Sequence, residues 1–98
     1  METIGTGAFG YNRFEEIVIP DNVKTIEDGG FEYCSILKTI TLPASLASIG
    51  ASAFAGTVLK TVNYKGTQAQ WAQIKIDDYN DKLTGAKIIC TDGIINGE

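Results

Sequence analysis

Residues 17–26 read IVIPDNVKTI, and residues 40–49 read ITLPASLASI, the same apolar pattern with the same proline at an offset of 23 residues. A chain that repeats itself at a fixed short period is confined to a small set of architectures. Each unit must be one supersecondary element that covers its neighbour's apolar face. The first unit runs from Ile4 as IGTGAFGYNRFEEIVIPDNVKT, the second from Ile26 as IEDGGFEYCSILKTITLPASLAS, and the third opens at Ile49 as IGASAFAGTVLKTVNYKG. Phe9, Phe31 and Phe54 follow the opening isoleucines five residues on. Phe14, Leu37 and Leu59 come next, then Ile17, Ile40 and Val62, then Ile19, Leu42 and Tyr64.

The spacing within a unit assigns the landmarks their places. In LKTITL the apolar positions approach a period of two, so Ile40 and Leu42 are expected inward and Thr39 and Thr41 outward on a strand. FEEIVI and LKTVNY repeat that layout. Pro20 and Pro43 end the strand because proline lacks the N–H a ladder uses. Val23 with Ile26, and Leu46 with Ile49, form a second extended pair on another side. The small residue before each phenylalanine (Ala8, Gly30, Ala53) lets the backbone pass close to its neighbour while the ring fills the interior. Seven apolar side chains per unit return less free energy than ordering the unit costs, so units must stack. Helical repeats would need 3.6-periodic segments of ~12 residues, which units interrupted by IxIP do not supply. A short antiparallel sandwich remains as the rival and requires six landmarks to coincide three times.

Charge and residue types narrow the chemistry. The net charge is −4 and the eight lysines and arginines never cluster, which disfavours nucleic acid as a partner. No apolar run approaches the ~20 residues of a membrane-spanning helix, and METIGTGAFG lacks the basic start and apolar centre of an export signal. Histidine is absent, which removes the commonest general base and metal ligand. No catalytic residue, metal site or cofactor is assigned. The run IDDYNDK does not complete a calcium loop, since Lys82 and Leu83 stand where an acceptor and glycine are needed, and it reads as a solvated turn. Glu15 with Glu16, and Glu27 with Asp28, read as surface charge. The glycines of IGTGAFG fit no phosphate-binding motif. Cys34 and Cys90 lack any CxxC spacing. A disulfide between them is one alternative, and two buried thiols are the expected one.

The pattern IGxxAFxxC, LxxIxIP, xxVxxI over residues 4–64 resembles the BspA-like leucine-rich repeat, carried in unit two by Ile26, Gly30, Phe31, Cys34, Leu37, Ile40, Leu42, Pro43, Leu46 and Ile49. The resemblance implies a β-rich leucine-rich-repeat solenoid of about three 22–23-residue coils with a small α+β C-terminal cap. Cys34 then matches an interior cysteine, with Asn12 and Thr57 at the equivalent positions, which makes it a packing residue. YKGTQAQWAQIKIDDYNDKLTGAKIICTDG resembles the segment that closes such arrays. This divides the chain into repeats over 1–64 and a capping segment over 65–98. Thr67 and Gln70 form a T-x-x-Q capping box, so a short helix is expected over about 68–74 and a strand over about 86–91, with DG turning into a last strand. Helix and hairpin are expected to lie across the last coil. Ile4 and Phe9 are expected beside an open edge, as in a piece of a longer array with further repeats before it.

The resemblance also implies a non-enzymatic interaction or adhesion module from a bacterial surface or secreted protein. Its partner would be a protein or surface macromolecule. The alternative is a structural spacer that presents another domain and binds nothing itself, and an enzyme is the third reading. Stacked in register, the outward positions would form two rows, Glu16, Thr39, Thr61 and Val18, Thr41, Asn63, with Glu15, Lys38 and Lys60 near the strand starts. These six row residues are the candidate binding face.

Overall fold

A computed structural model of the chain describes residues 2–96. Along it come β1 (Thr3–Ile4), β2 (Glu16–Val18), β3 (Thr25–Ile26), β4 (Thr39–Leu42), β5 (Ser48–Ile49), β6 (Thr61–Tyr64), α1 (Gln68–Gln73), β7 (Lys75–Ile76), α2 (Asp81–Thr84), β8 (Lys87–Cys90) and β9 (Gly93–Ile95). The strands alternate between two sheets. One has the order β1-β3-β5-β7 and the other β2-β4-β6-β8-β9. Every pair is parallel except the β8–β9 hairpin. Alternation of this kind follows from the sequence pattern, because each unit contributes one strand of each type and successive units lie side by side.

The apolar landmarks stack in register. Ile17 pairs with Ile40, Ile40 with Val62 and Val62 with Ile88. Ile4, Ile26, Ile49 and Ile76 pair likewise in the other sheet. Phe9, Phe31 and Phe54 form a column, with ring centroids 5.4 and 5.3 Å apart and ring planes within 11° and 7°. That spacing is set by the ~4.8 Å between neighbouring strands. β4 ends at Leu42, where Pro43 follows. In the second unit Ile26, Phe31, Cys34, Leu37, Ile40 and Leu42 are all fully buried, whereas Phe9, Phe14 and Ile17 of the first unit are only partly so. Phe9, Phe14 and Ile17 thus lack the cover that a neighbour on both sides gives their counterparts, although Ile4, Ile19 and Val23 of the same unit are buried.

A third ladder joins the turns between the two sheets. Gly7, Phe9 and Tyr11 donate their N–H groups to the carbonyls of Asp28, Gly30 and Glu32, at 3.2, 2.9 and 2.9 Å. Gly29, Phe31 and Tyr33 do the same to Ala51, Ala53 and Ala55. Two positions in each of the three regular turns adopt left-handed backbone, residues 7, 29 and 52 at one and 11, 33 and 56 at the other, and residue 79 repeats the first of them in the fourth unit. Gly30 is required by close approach, since a Cβ there would lie 2.8 Å from Cγ2 of Ile26.

The C-terminal segment departs from the expected lid. α1 forms where the capping box places it: Thr67 Oγ1 accepts from Gln70 N–H at 3.1 Å, and Gln70 Oε1 accepts from Thr67 N–H at 2.8 Å. Trp71 is buried and meets Tyr64 edge-on at 5.3 Å. After α1, however, β7 extends the first sheet and β8 extends the second in parallel register. This stretch is a fourth, irregular unit, in which α1 accounts for the longer 27-residue step from Ile49 to Ile76. Only β9 turns back antiparallel, through a two-residue loop at Thr91–Asp92. At the other end β1 and β2 are edge strands, which places Ile4 beside an edge, and its side chain is nonetheless buried. Phe9, by contrast, is only partly covered.

IDDYNDK is likewise more than a solvated turn. Asp77, Asp78 and Tyr79 are exposed, but Asn80 is 2% exposed and fully hydrogen-bonded. Its backbone carbonyl is committed to α2, accepting from Leu83 and Thr84. Its side-chain Oδ1 therefore takes over the ladder, accepting from Phe54 N–H at 3.1 Å. Nδ2 donates to the carbonyls of Gly50 and Asp77 at 2.9 and 3.0 Å. A side-chain amide here reproduces the acceptor that a regular next turn would supply from backbone.

Candidate interaction surface

The outward positions of the five-stranded sheet form the candidate surface. The period of two buries Ile40, Leu42, Val62, Tyr64, Ile88 and Cys90, which leaves the intervening residues on the other face. Parallel register then aligns Glu16 with Thr39, Thr39 with Thr61, and Thr61 with Lys87. The second row runs Val18, Thr41, Asn63, Ile89 and Ile94. All six residues expected from the sequence fall in these two rows, as adjacent strand partners. Glu16 and Val18 are exposed, and Thr39, Thr41, Thr61 and Asn63 are half-buried by their neighbours.

Lys87, Ile89 and Ile94 join the rows unanticipated. Their signal is the resemblance of AKIIC to LKTVNY, with a small or basic residue before an alternating strand. The irregular 27-residue step to Ile76 hides it from any search at a fixed period. The rows change character along the array: an anionic end at Glu16 gives way to threonine and then to the cation of Lys87, and the second row is apolar at both ends, with Val18 64% and Ile94 39% exposed.

Side chains elsewhere serve the fold. Glu27 Oε1 accepts from Thr6 N–H at 3.2 Å and Asp28 Oδ1 from Ala51 N–H at 2.9 Å, so these carboxylates tie neighbouring turns together and do more than carry surface charge. Cys34 and Cys90 are free thiols, both buried. Cys34 Sγ donates to the Phe9 carbonyl at 3.0 Å, which Asn12 Nδ2 also reaches at 2.9 Å, and Thr57 Oγ1 donates to the Phe54 carbonyl at 2.8 Å. The three equivalent positions thus all satisfy a phenylalanine carbonyl. Burial pushes the Cys34 thiol above its ordinary pKa, with the hydrogen bond involving Asn12 working the other way. Burial, and to a lesser extent Asp92, does the same to Cys90. Raised thiols of this kind are poor nucleophiles. Among the described residues, no three His, Cys, Asp or Glu side chains come together as a metal site, and no helix is long and apolar enough to cross a membrane.

Comparison with known families agrees with this geometry. A family model described as "BspA type Leucine rich repeat region (6 copies)" matches residues 2–79, beyond the three regular units and into the fourth strand of the first sheet. Nothing matches the chain among curated proteins, and nothing matches it among solved structures. With in-register parallel strands, columns of repeated apolar residues and a family match over most of its length, the chain belongs to the BspA-type leucine-rich repeat family.

Proposed function

We propose that the chain is a non-enzymatic solenoid module that binds a protein or other surface macromolecule through the outward face of its five-stranded sheet. In this reading the module belongs to a bacterial surface or secreted protein with a role in adhesion. In this reading residues 1–64 supply the regular repeats, and 65–98 add the irregular fourth unit with the hairpin as a closing segment. The observation that carries the reading is the in-register alignment of Glu16, Thr39, Thr61 and Lys87 beside Val18, Thr41, Asn63 and Ile89. A flat array of side chains at strand spacing, polar in the middle with apolar and charged ends, offers a partner regular hydrogen-bonding and packing positions. Family membership supports an interaction role over catalysis.

Threonine also suits an exposed strand for conformational reasons alone, and a spacer would need nothing more from these positions. The two are separated by the triple variant Glu16→Ala, Thr39→Ala, Thr61→Ala, compared with the variant Thr25→Ala, Ser48→Ala on the other sheet. Each is used to capture proteins from bacterial-surface and host-matrix fractions, with quantification against the parent chain. A binding face predicts partners lost by the triple variant and retained by the control. Identical capture by all three, with unchanged circular dichroism, would leave the spacer.

A further inference from the structure

The turn stretches between the two sheets carry a feature that the sheet face does not explain. Three of the four tyrosines, Tyr11, Tyr33 and Tyr79, sit in left-handed backbone with φ of 61°, 60° and 66°. Bulky side chains rarely adopt this region, and glycine takes it without strain. The array shows the unstrained choice beside them: Gly56 holds the position of Tyr11 and Tyr33 in the next turn, and Gly7 and Gly29 hold that of Tyr79. The tyrosines do not repay this by burial, since they are 75%, 49% and 74% exposed. The Tyr11 and Tyr33 rings lie against each other at 5.3 Å with a 32° tilt, and Tyr33 packs over Gly56. An exposed aromatic pair is thus held in place at a conformational cost.

The charge of the same stretches is of one sign. Over residues 5–12, 27–34, 50–57 and 77–80 there are five carboxylates, Glu27, Asp28, Glu32, Asp77 and Asp78, and no lysine or arginine, with Arg13 directly after the first stretch and Lys82 in α2 after the last. This exceeds the net charge of the whole chain, −4. Among the described residues none of the five forms an ion pair. Asp28, Glu32 and Tyr79 line one open groove of about 340 Å³ there. Aromatic faces carry negative quadrupoles, and carboxylates around them deepen the attraction for a cation.

We propose that this turn face is a second interaction surface, distinct from the sheet face, and that its occupant is a cationic segment of a partner protein. Arginine or lysine side chains lie over Tyr11 and Tyr33, and further basic residues meet Glu32 and Asp78.

The test uses the full chain and a peptide alternating arginine and glycine, with an alternating glutamate–glycine peptide and neutral dextran as comparisons, by calorimetry at low and moderate salt. The arginine peptide is expected to bind, and more weakly as salt rises. Tyr11→Gly with Tyr33→Gly, which supplies the residue the backbone prefers, is expected to keep the fold and lose about tenfold in affinity. Tyr11→Phe with Tyr33→Phe keeps the rings and is expected to retain binding. Glu32→Gln with Asp78→Asn is expected to weaken it several-fold. Should the glycine variant fail to fold, this charge variant decides. Equal binding by the parent and by the glycine or charge variants, absence of binding by the arginine peptide, or binding of dextran in its place would overturn the proposal.

Discussion

Replacing Asn80 by alanine should be among the most damaging single polar substitutions in the chain. Its amide makes three hydrogen bonds, to Phe54 N–H, the Gly50 carbonyl and the Asp77 carbonyl, from a residue that is 2% exposed. Alanine leaves the Phe54 N–H, a donor in the interior, without an acceptor, which costs about 1–3 kcal/mol. The two lost donations add about 0.5–1.5 kcal/mol each. Gly50 retains part of its satisfaction, because its carbonyl also accepts from Ala53 N–H at 3.3 Å. A total near 3 kcal/mol is expected, a large share of the ~5–15 kcal/mol available to a small domain. Urea denaturation followed by circular dichroism would read this as a lower midpoint with an unchanged slope. Asn80→Asp refines the test. The carboxylate keeps the acceptor for Phe54 but faces two carbonyls with no proton to give them. Aspartate should therefore destabilise at neutral pH and recover in part in acid, where its protonated form donates again. An alanine variant within ~0.5 kcal/mol of the parent, inside the range of ordinary surface substitutions, would refute the role given to this side chain.

Other perturbations test other contacts. Phe31→Ala removes a fully buried ring stacked between Phe9 and Phe54 and should cost about 3–5 kcal/mol, measured by the same denaturation. Gly50→Ala would place a Cβ against the Asp28 side chain and 2.7 Å from the Glu27 backbone carbon, so thermal melting should fall by ~10 °C or more, whereas Gly7→Ala meets no neighbouring atom and should cost only the strain that alanine takes on at a left-handed φ. Alkaline titration should also destabilise the fold. The Cys34 and Cys90 thiols are raised by burial, so the folded chain holds these protons longer than the unfolded one. Their stabilising contribution is complete below the ordinary thiol value of 9.0 and is lost as pH rises above it. Cys34→Ser with Cys90→Ser should delay that loss until Tyr64, also raised by burial, begins to ionise above 10.0.

What could be read from residues alone follows from how local each signal is. Leu37, Ile40 and Leu42 announce a half-buried strand by spacing, and Thr67 with Gln70 announce α1, because both patterns are complete within a few residues. Register between units was legible for the same reason: side chains that stack must match, so Ile17, Ile40 and Val62 agree. The fourth unit was not, since α1 stretches the step from Ile49 to Ile76 and no phenylalanine marks its turn. Asn80 reads as solvated in the sequence because its partners in the neighbouring turn, Gly50 and Phe54, are distant along the chain and are backbone groups that leave no trace in residue type. The left-handed tyrosines ran against propensity altogether. On the sheet face, Glu16, Val18, Thr39, Thr41, Thr61 and Asn63 were found by alternation, while Lys87 and Ile89 were lost with the unit that carries them.

In-register parallel pairing that runs from β2 through β4 and β6 into β8 is what aligns the outward side chains into rows. Interstrand nuclear Overhauser contacts of the backbone read it directly. The expected contacts link Ile17 to Ile40, Ile40 to Val62 and Val62 to Ile88 in the parallel pattern, with the antiparallel pattern only between β8 and β9, as at Ile88 with Ile95 and Ile89 with Ile94. Antiparallel contacts between β6 and β8, or none between them while β8 and β9 still pair, would contradict it.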